Sequence, residues 1–244
     1  MTIVHLPRVD STQTTIFDLA AQGAADRTVV VADYQAAGRG RRGRAWDAPP
    51  GTSLLTSVLV RPRGAPPEGW GGYSLVSALA VADALARVAG LDARLKWPND
   101  VLVGGRKIAG ILLESRMPAA VSAGATASAG VIAVGIGINL GQRAFPAGLA
   151  ARATSVWLET GRDVGRDVVL DAMLEAFDGW RAQLEREGLA PIRARWLVVA
   201  DTIGRRVSVD GITGIAVDLD VDGALVLEDG ERRHRVVAGE VAVL

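Results

Sequence analysis

A change of rhythm near the C-terminus constrains the fold more than any other feature of this sequence. From about Asp201 onward, short alternating runs are broken by Asp210-Gly211, Asp222-Gly223 and Asp229-Gly230. Asp-Gly between alternating runs is a hairpin signal, because both residues tolerate the positive φ that a tight hairpin turn requires. Upstream the spacing is helical. Residues 73–89 carry Leu75, Leu79, Ala82 and Leu85 at helix intervals, with Gly90 placed to end the helix. Residues 167–186 repeat the pattern through Leu170, Leu174, Phe177 and Leu184, and a third helix is predicted over 191–198, with Pro191 suited to its first turn. Ser11 is placed to cap an N-terminal helix bearing Ile16, Leu19 and Ala20. Strand-like runs fall at 28–34, 52–60, 94–96, 101–103, 107–115 and 131–140. The Ala/Ser/Gly-rich stretch 117–130 buries little and is expected to be a mobile loop joining two strands. The expectation is an α+β chain, with a larger domain at 1–199 and a small all-β, barrel-like module at 200–244.

Composition narrows the chemistry. The 244 residues include 49% hydrophobic side chains, enough for a well-buried core. Lys plus Arg and Asp plus Glu are both 27, so any anion site is local rather than a global basic surface. With no Cys and two His, disulfides, thiolate sites, thiol nucleophiles and multi-histidine metal sites are excluded or disfavoured. The first residues lack the basic start and apolar run of a signal peptide, and no charge-free run of membrane-spanning length is evident. A soluble, cytoplasmic protein without a membrane partner is expected.

Four segments stand out. Gly38-Arg39-Gly40-Arg41-Arg42-Gly43-Arg44 packs four guanidiniums into a flexible loop, which repel one another unless an anion or solvent compensates them. Arginine forks on such a loop suit phosphate or carboxylate, although the Gly-Lys-Ser/Thr end of a Walker loop is missing. The same loop also reads as a solvated basic turn or an RNA-binding patch. Lys96-Trp97-Pro98-Asn99-Asp100 offers a cation, an aromatic, an amide and a carboxylate at one strand end, or simply a turn around a buried Trp. Arg106-Lys107-Ile108-Ala109-Gly110 places Lys107, by strand alternation, on one face with Ala109, Ile111 and Leu113, where a lysine either has a partner or snorkels. Gly135 and Gly137, two apart in a strand, leave a groove on one face, or serve ordinary close packing.

Taken together and in order, Ser11-Thr12-Gln13, the segment from Gln35 through the arginine loop to Trp46, Lys96 to Asp100, Arg106 to Leu112 and Gly135-Ile136-Gly137-Ile138-Asn139 closely resemble the biotin protein ligase family. The likeness runs over most of the chain, including Gly239-Glu240-Val241. The resemblance implies a mixed β-sheet with packed helices, like class II aminoacyl-tRNA synthetases, and an SH3-like β-barrel at the C-terminus. It also implies two steps: biotin attacks ATP, with Mg2+, to give biotinyl-adenylate, and a lysine of a biotin carrier domain of a carboxylase then takes the biotinyl group. By family pattern, Ser11, Thr12, Gln13, Gln35, Arg39, Gly40, Arg41 and Lys107 contact biotin, with Gly110, Gly135 and Gly137 leaving room for it. Arg39, Arg41, Arg42, Arg44, Trp46, Lys96, Asn99 and Asn139 are then the ATP or adenylate positions, Trp46 as the adenine stacking surface. Lys107, Arg39 and Arg41 supply positive charge where two anions must meet, and Asp100 positions or deprotonates the incoming lysine. Gln13 departs from the family's usual Asn.

Some family members carry an N-terminal winged-helix repressor domain. Ten residues before Ser11 are too few for one, so no specific DNA binding is expected; specific, salt-tolerant gel shifts with operator-like DNA would overturn that. A monomer or weak homodimer is expected, with an exposed strand edge as the route to a dimer. The alternatives are a lipoate or octanoate ligase, a non-enzymatic RNA-binding module using the arginine loop, and an inactive biotin or nucleotide binder. Zero net charge and a single aromatic beside the arginines argue against RNA.

Overall fold

The computed structural model describes residues 1–62, 67–117 and 130–244; the Ala/Ser/Gly-rich stretch expected to be a loop lies almost wholly outside them. The chain runs β1 (Thr2–Leu6), α1 (Thr12–Ala21), β2 (Thr28–Ala32), β3 (Ser53–Val60), α2 (Gly72–Ala89), β4 (Arg94–Lys96), β5 (Asp100–Val103), β6 (Arg106–Arg116) and β7 (Val131–Asn139). It continues through α3 (Ala147–Ala150), α4 (Val156–Thr160), α5 (Arg166–Glu187), α6 (Leu189–Val198), β8 (Arg206–Val209), β9 (Ile212–Leu219), β10 (Leu225–Asp229), β11 (Arg232–Val236) and β12 (Val241–Val243). The first seven strands form one sheet in the order β1-β2-β3-β7-β6-β5-β4. It is mixed: β1 runs parallel to β2, and every other neighbouring pair is antiparallel. The first strand, β1, carries too few alternating residues to announce itself in the sequence.

Alternation along the strands sorts the two faces. Val29, Val31, Leu54, Val58, Val134, Ile136 and Ile138 point into a large core shared with α2, α5 and α6. Val30, Leu59 and Ala133 point the other way, onto Ile16 and Phe17 of α1. The short α1 covers only part of that second face. Beyond it, Gly135, Gly137 and Asn139 continue the Ala133 row on β7, and the sheet there is bare of helix. The site lies in this gap.

By length and composition, residues 69–89 could cross a membrane, but most of that stretch is buried inside the fold. In α2, Val76, Leu79, Val81 and Leu85 are fully buried and the helix packs along α5. Gly90 ends α2 in the left-handed conformation expected of a C-terminal glycine.

Alternation misplaces Lys107. The β5–β6 register shifts so that Leu102 pairs with Lys107 and Val101 with Ala109, leaving Ile108 as the extra residue of a bulge. Ile108, Ala109 and Ile111 are core residues, whereas the Lys107 side chain lies beside Gly110 on the bare face. The bulge re-aims the lysine.

The last five strands form an antiparallel sheet in the order β11-β10-β9-β8-β12. Asp210 and Gly211 both have positive φ and close the β8–β9 hairpin between Val209 and Ile212, as their pairing requires. No ladder joins β11 to β12 among the described residues, so the sheet is not closed into a ring. Val207, Val209, Leu225, Leu227 and Val241 belong to the same continuous core as the larger sheet. Trp97 fastens the two together: its backbone N–H donates to Thr202 Oγ1 at 2.9 Å and its Nε1 to the Gly223 carbonyl at 3.1 Å. It is buried, as one reading of its segment anticipated, and the Trp97-Pro98 bond is cis.

Candidate functional site

The bare part of the sheet, the arginine loop and the segment after β7 enclose a cavity of about 730 Å³. Nearly all the residues singled out in the sequence line it: Ser11, Thr12, Gln13, Gln35, Arg39, Gly40, Arg41, Arg44, Trp46, Lys96, Asn99, Asp100, Lys107, Gly110, Gly135, Gly137 and Asn139. Arg42 does not; it turns outward to the C-terminal sheet.

The arginine loop is a compact excursion. Trp46 N–H donates to the Gly38 carbonyl (3.0 Å) and Gly40 N–H to the Arg44 carbonyl (2.6 Å), folding the loop back on itself. A Cβ on Gly38 would sit 2.3 Å from the Trp46 carbonyl oxygen, so only glycine fits there. Each arginine of the loop has a protein partner, so its charge is compensated within the fold. Arg39 bonds Thr14 Oγ1 (3.0 Å) and Glu114 Oε2 (2.8 Å). Arg41 donates to Asn99 Oδ1 (3.1 Å) and the Gly239 carbonyl (3.3 Å). Arg42 pairs with Asp210, and Arg44 with Glu240 Oε1 at 2.7 Å. Burial, reinforced by neighbouring Arg42, lowers the Arg41 guanidinium below its ordinary value, with Asp100 opposing. It remains charged at neutral pH.

Lys107 Nζ sits 2.6 Å from Asp100 Oδ1 and over the Trp46 ring, 5.5 Å from its centroid. The two groups expected to share the chemistry are thus each other's counter-ions. Trp46 lies flat against the sheet: a Cβ on Gly137 would meet its ring at 2.5 Å, and one on Gly110 would meet it at 3.0 Å. A Cβ on Gly135 would meet the Gln13 side chain at 3.0 Å. The glycine groove is real, but Trp46, Gln13 and Lys107 occupy it, where the sequence suggested direct room for a ligand. Among the described residues, Trp46 Nε1 has no hydrogen-bond partner.

The opposite wall is neutral and polar. Ser57 Oγ donates to Thr12 Oγ1 (2.8 Å), which donates to Gln35 Oε1 (3.0 Å), and the Thr12 N–H bonds the same oxygen (2.8 Å). Gln13 Nε2 reaches the Leu112 carbonyl (3.0 Å) and its Oε1 accepts from Ser57 (3.3 Å), so this buried amide braces α1 to β6 and β3. Ser11 occupies the cap position of α1 but makes no capping bond; among the described residues its buried hydroxyl has no partner, and the residue lines the cavity. Asn99 Nδ2 donates to the Ile111 carbonyl (2.8 Å) and Asn139 Nδ2 to the Thr154 carbonyl (2.9 Å), while Gln142 Nε2 donates to Asn139 Oδ1 (3.1 Å). Both amides therefore serve as scaffold in this state.

Sequence reasoning missed Ser57, the cavity-lining Gln142, Phe145, Pro146, Leu149 and Arg152 that follow β7, and the acids Asp210 and Glu240. Ser57, beside Thr56 in β3, was a visible signal, and Glu240 stood within the Gly239-Glu240-Val241 likeness; the others carried no local sign of a place at this site. Among the described residues no group of three or more acidic, His or Cys side chains could hold a metal.

A cavity of this size, lined by Arg39, Arg41 and Lys107 and by the uncharged Ser11, Thr12 and Gln35, has the charge and polarity to take a small organic anion. Residues 5–137 match the family model for the biotin/lipoate A/B protein ligase family, and residues 202–244 match that of the biotin protein ligase C-terminal domain. The chain belongs to that ligase family. It is 41% identical to a biotin–[acetyl-CoA-carboxylase] ligase of Paracoccus denitrificans over 97% of this chain and 98% of the relative. It is 31% identical to the bifunctional ligase/repressor of Escherichia coli over 99% of this chain and 74% of that protein. The biotin protein ligase of Aquifex aeolicus in complex with biotin and ATP superposes with a TM-score of 0.84 at 30% identity, covering 100% of this chain and 98% of the other.

Proposed function

We propose that this chain is a biotin protein ligase. The carrying observation is the single cavity that unites Arg39, Arg41 and Lys107 with Trp46 and with the Ser11–Thr12–Gln35 wall. In the first step a biotin carboxylate oxygen attacks the α-phosphorus of ATP, and the bond to pyrophosphate breaks. Both reactants are anions, so positive charge and exclusion of water must bring them together. Arg39, Arg41 and Lys107 supply the charge, and Trp46 offers its ring to the adenine side. The unpartnered Ser11 hydroxyl and the Thr12–Gln35 pair suit the donors and acceptor of the ureido ring. In the second step the amine nitrogen of a carrier lysine attacks the acyl carbon and AMP leaves. That amine must lose a proton first, and Asp100, paired with Lys107, is the carboxylate assigned to receive or orient it.

Magnesium accompanies the nucleotide. The missing acidic cluster is no obstacle, since Mg2+ on a nucleotide is held largely by phosphates and water. The acceptor is a carrier domain of a biotin-dependent carboxylase, and the reaction takes place in the cytoplasm as a monomer or weak homodimer.

Incubation with ATP, Mg2+, biotin and a biotin carrier domain should add one biotinyl group to the carrier, read by its intact mass. Lipoate or octanoate in place of biotin should add nothing. No mass gain with the folded protein, or a gain with lipoate alone, would overturn the proposal.

A further inference from the structure

Lys107 is held at its backbone by the segment that follows β7. Its N–H donates to the Arg152 carbonyl at 2.8 Å, and its carbonyl accepts from Thr154 N–H at 2.9 Å. Residues 152–154 thus lie as a short parallel strap along the start of β6. One oxygen closes this clasp. Glu159 Oε1, on α4, accepts from the Thr154 hydroxyl and also from Arg106 Nη2 at 2.7 Å. Thr154 is fully buried, and the Glu159 side chain is only 16% exposed. Ser155 fixes α4 in turn, by capping it through Leu158 N–H and by donating to the Gln142 carbonyl.

We infer that Glu159 is a positioning residue for Lys107. It ties the residue before the lysine to the strap alongside it, and so fixes where the bulged start of β6 aims the side chain. Glu159 is not among the residues lining the cavity, so its effect is indirect, through the backbone it holds beside Lys107. The inference rests on the ligase proposal and on the role given there to Lys107. A charge that stabilises a transition state acts only if held at the right distance, and a misplacement of about 1 Å can cost on the order of 100-fold.

The test measures biotin- and ATP-dependent pyrophosphate release by the full chain. Glu159→Ala should lower kcat about 10- to 100-fold while KM for biotin and ATP stays within about 3-fold. Glu159→Gln keeps an acceptor oxygen for both donors and should restore kcat to within about 3-fold of wild type. In a Lys107→Ala background, Glu159→Ala should cause no further fall, because its effect passes through the missing side chain. If Glu159→Ala does not fold, Thr154→Val and Arg106→Gln each remove one of the two bonds and should show the same dependence on Lys107. A further fall in the Lys107→Ala background, or wild-type kcat in Glu159→Ala and Thr154→Val, would overturn the inference. Wild-type kcat in Lys107→Ala itself would instead overturn the role of Lys107.

Discussion

Lys107→Ala should lower the rate of adenylate formation about 100- to 1000-fold, the usual cost of removing a preorganised electrostatic group from a reacting centre. The fold should be little affected, since the side chain is one-third exposed at the cavity wall and buries no core surface. Two anions must approach in the first step, and negative charge builds on the transferring phosphate. A cation that binds the transition state better than the separated reactants raises kcat, so the loss should appear in kcat more than in KM. Lys107→Arg should not restore the rate. The planar guanidinium fork differs in shape and reach from a compact ammonium, and it would have to fit between Asp100 and the Trp46 ring. Rapid-quench measurement of bound adenylate in a single turnover reads the chemical step directly. A Lys107→Ala protein that forms adenylate at the wild-type rate would remove Lys107 from the mechanism.

The second large effect concerns stability. Arg181 on α5 is nearly buried and bonds three carboxylate oxygens: Asp26 Oδ1 at 3.1 Å, Asp26 Oδ2 at 2.8 Å and Glu185 Oε1 at 2.7 Å. Burial alone lowers its affinity for the proton, but the bonds to Asp26 and Glu185 outweigh that and hold the guanidinium above its ordinary value. Arg181→Ala strands two carboxylates beside Tyr73, whose hydroxyl also reaches Glu185 at 3.2 Å. Because Asp26 and Glu185 are partly solvated, the loss should fall at the low end for a buried pair, about 3 kcal/mol. That is a large fraction of the roughly 5–15 kcal/mol that holds a domain folded, and it should lower Tm by about 6–12 °C. Activity at a temperature where the variant is folded should be near normal, since the cluster lies outside the residues lining the cavity. A melting temperature within a degree or two of wild type would show that the cluster contributes little.

The same cluster carries a pH signature. Burial first, and then Glu185, push the Tyr73 hydroxyl up to about 12. The folded state therefore prefers neutral tyrosine more than the unfolded state does. This contribution is fully present below about pH 10 and is lost as pH rises toward 12. Denaturant midpoints taken across that window should fall for the wild type and fall less for Tyr73→Phe.

The longer helices, most strands and the hairpins were legible because their signals are local, whereas β1 and the short α3 and α4 were not. Leu75 to Leu85 needed only the helical period, and Asp210-Gly211 only its tolerance of positive φ. The site was legible through family likeness, and the structure brings the named residues to one cavity without defining their roles. What local sequence could not show is distance. Arg42 and Arg44 find their carboxylates 168 and 196 residues away. Glu159 meets Arg106 across 53 residues. The bulge at Ile108 defeats strict alternation, which assumes one residue opposite one. The groove at Gly135 and Gly137 was predicted, but nothing in the strand says that Trp46 and Gln13 fill it.

The pairing of the arginine loop with Asp210 and Glu240 makes it resemble an ion-exchange resin in its loaded form. The Arg42 and Arg44 pairs are about half exposed, so solvent screens them and each gives way readily. On the ligase proposal, a triphosphate reaching this loop would not meet bare positive charge. It would displace carboxylates belonging to the protein itself, and the free energy of capture would be the difference between two sets of ion pairs. On that proposal Asp210 and Glu240 would set the threshold an anion must exceed before the loop lets go of the protein's own acids.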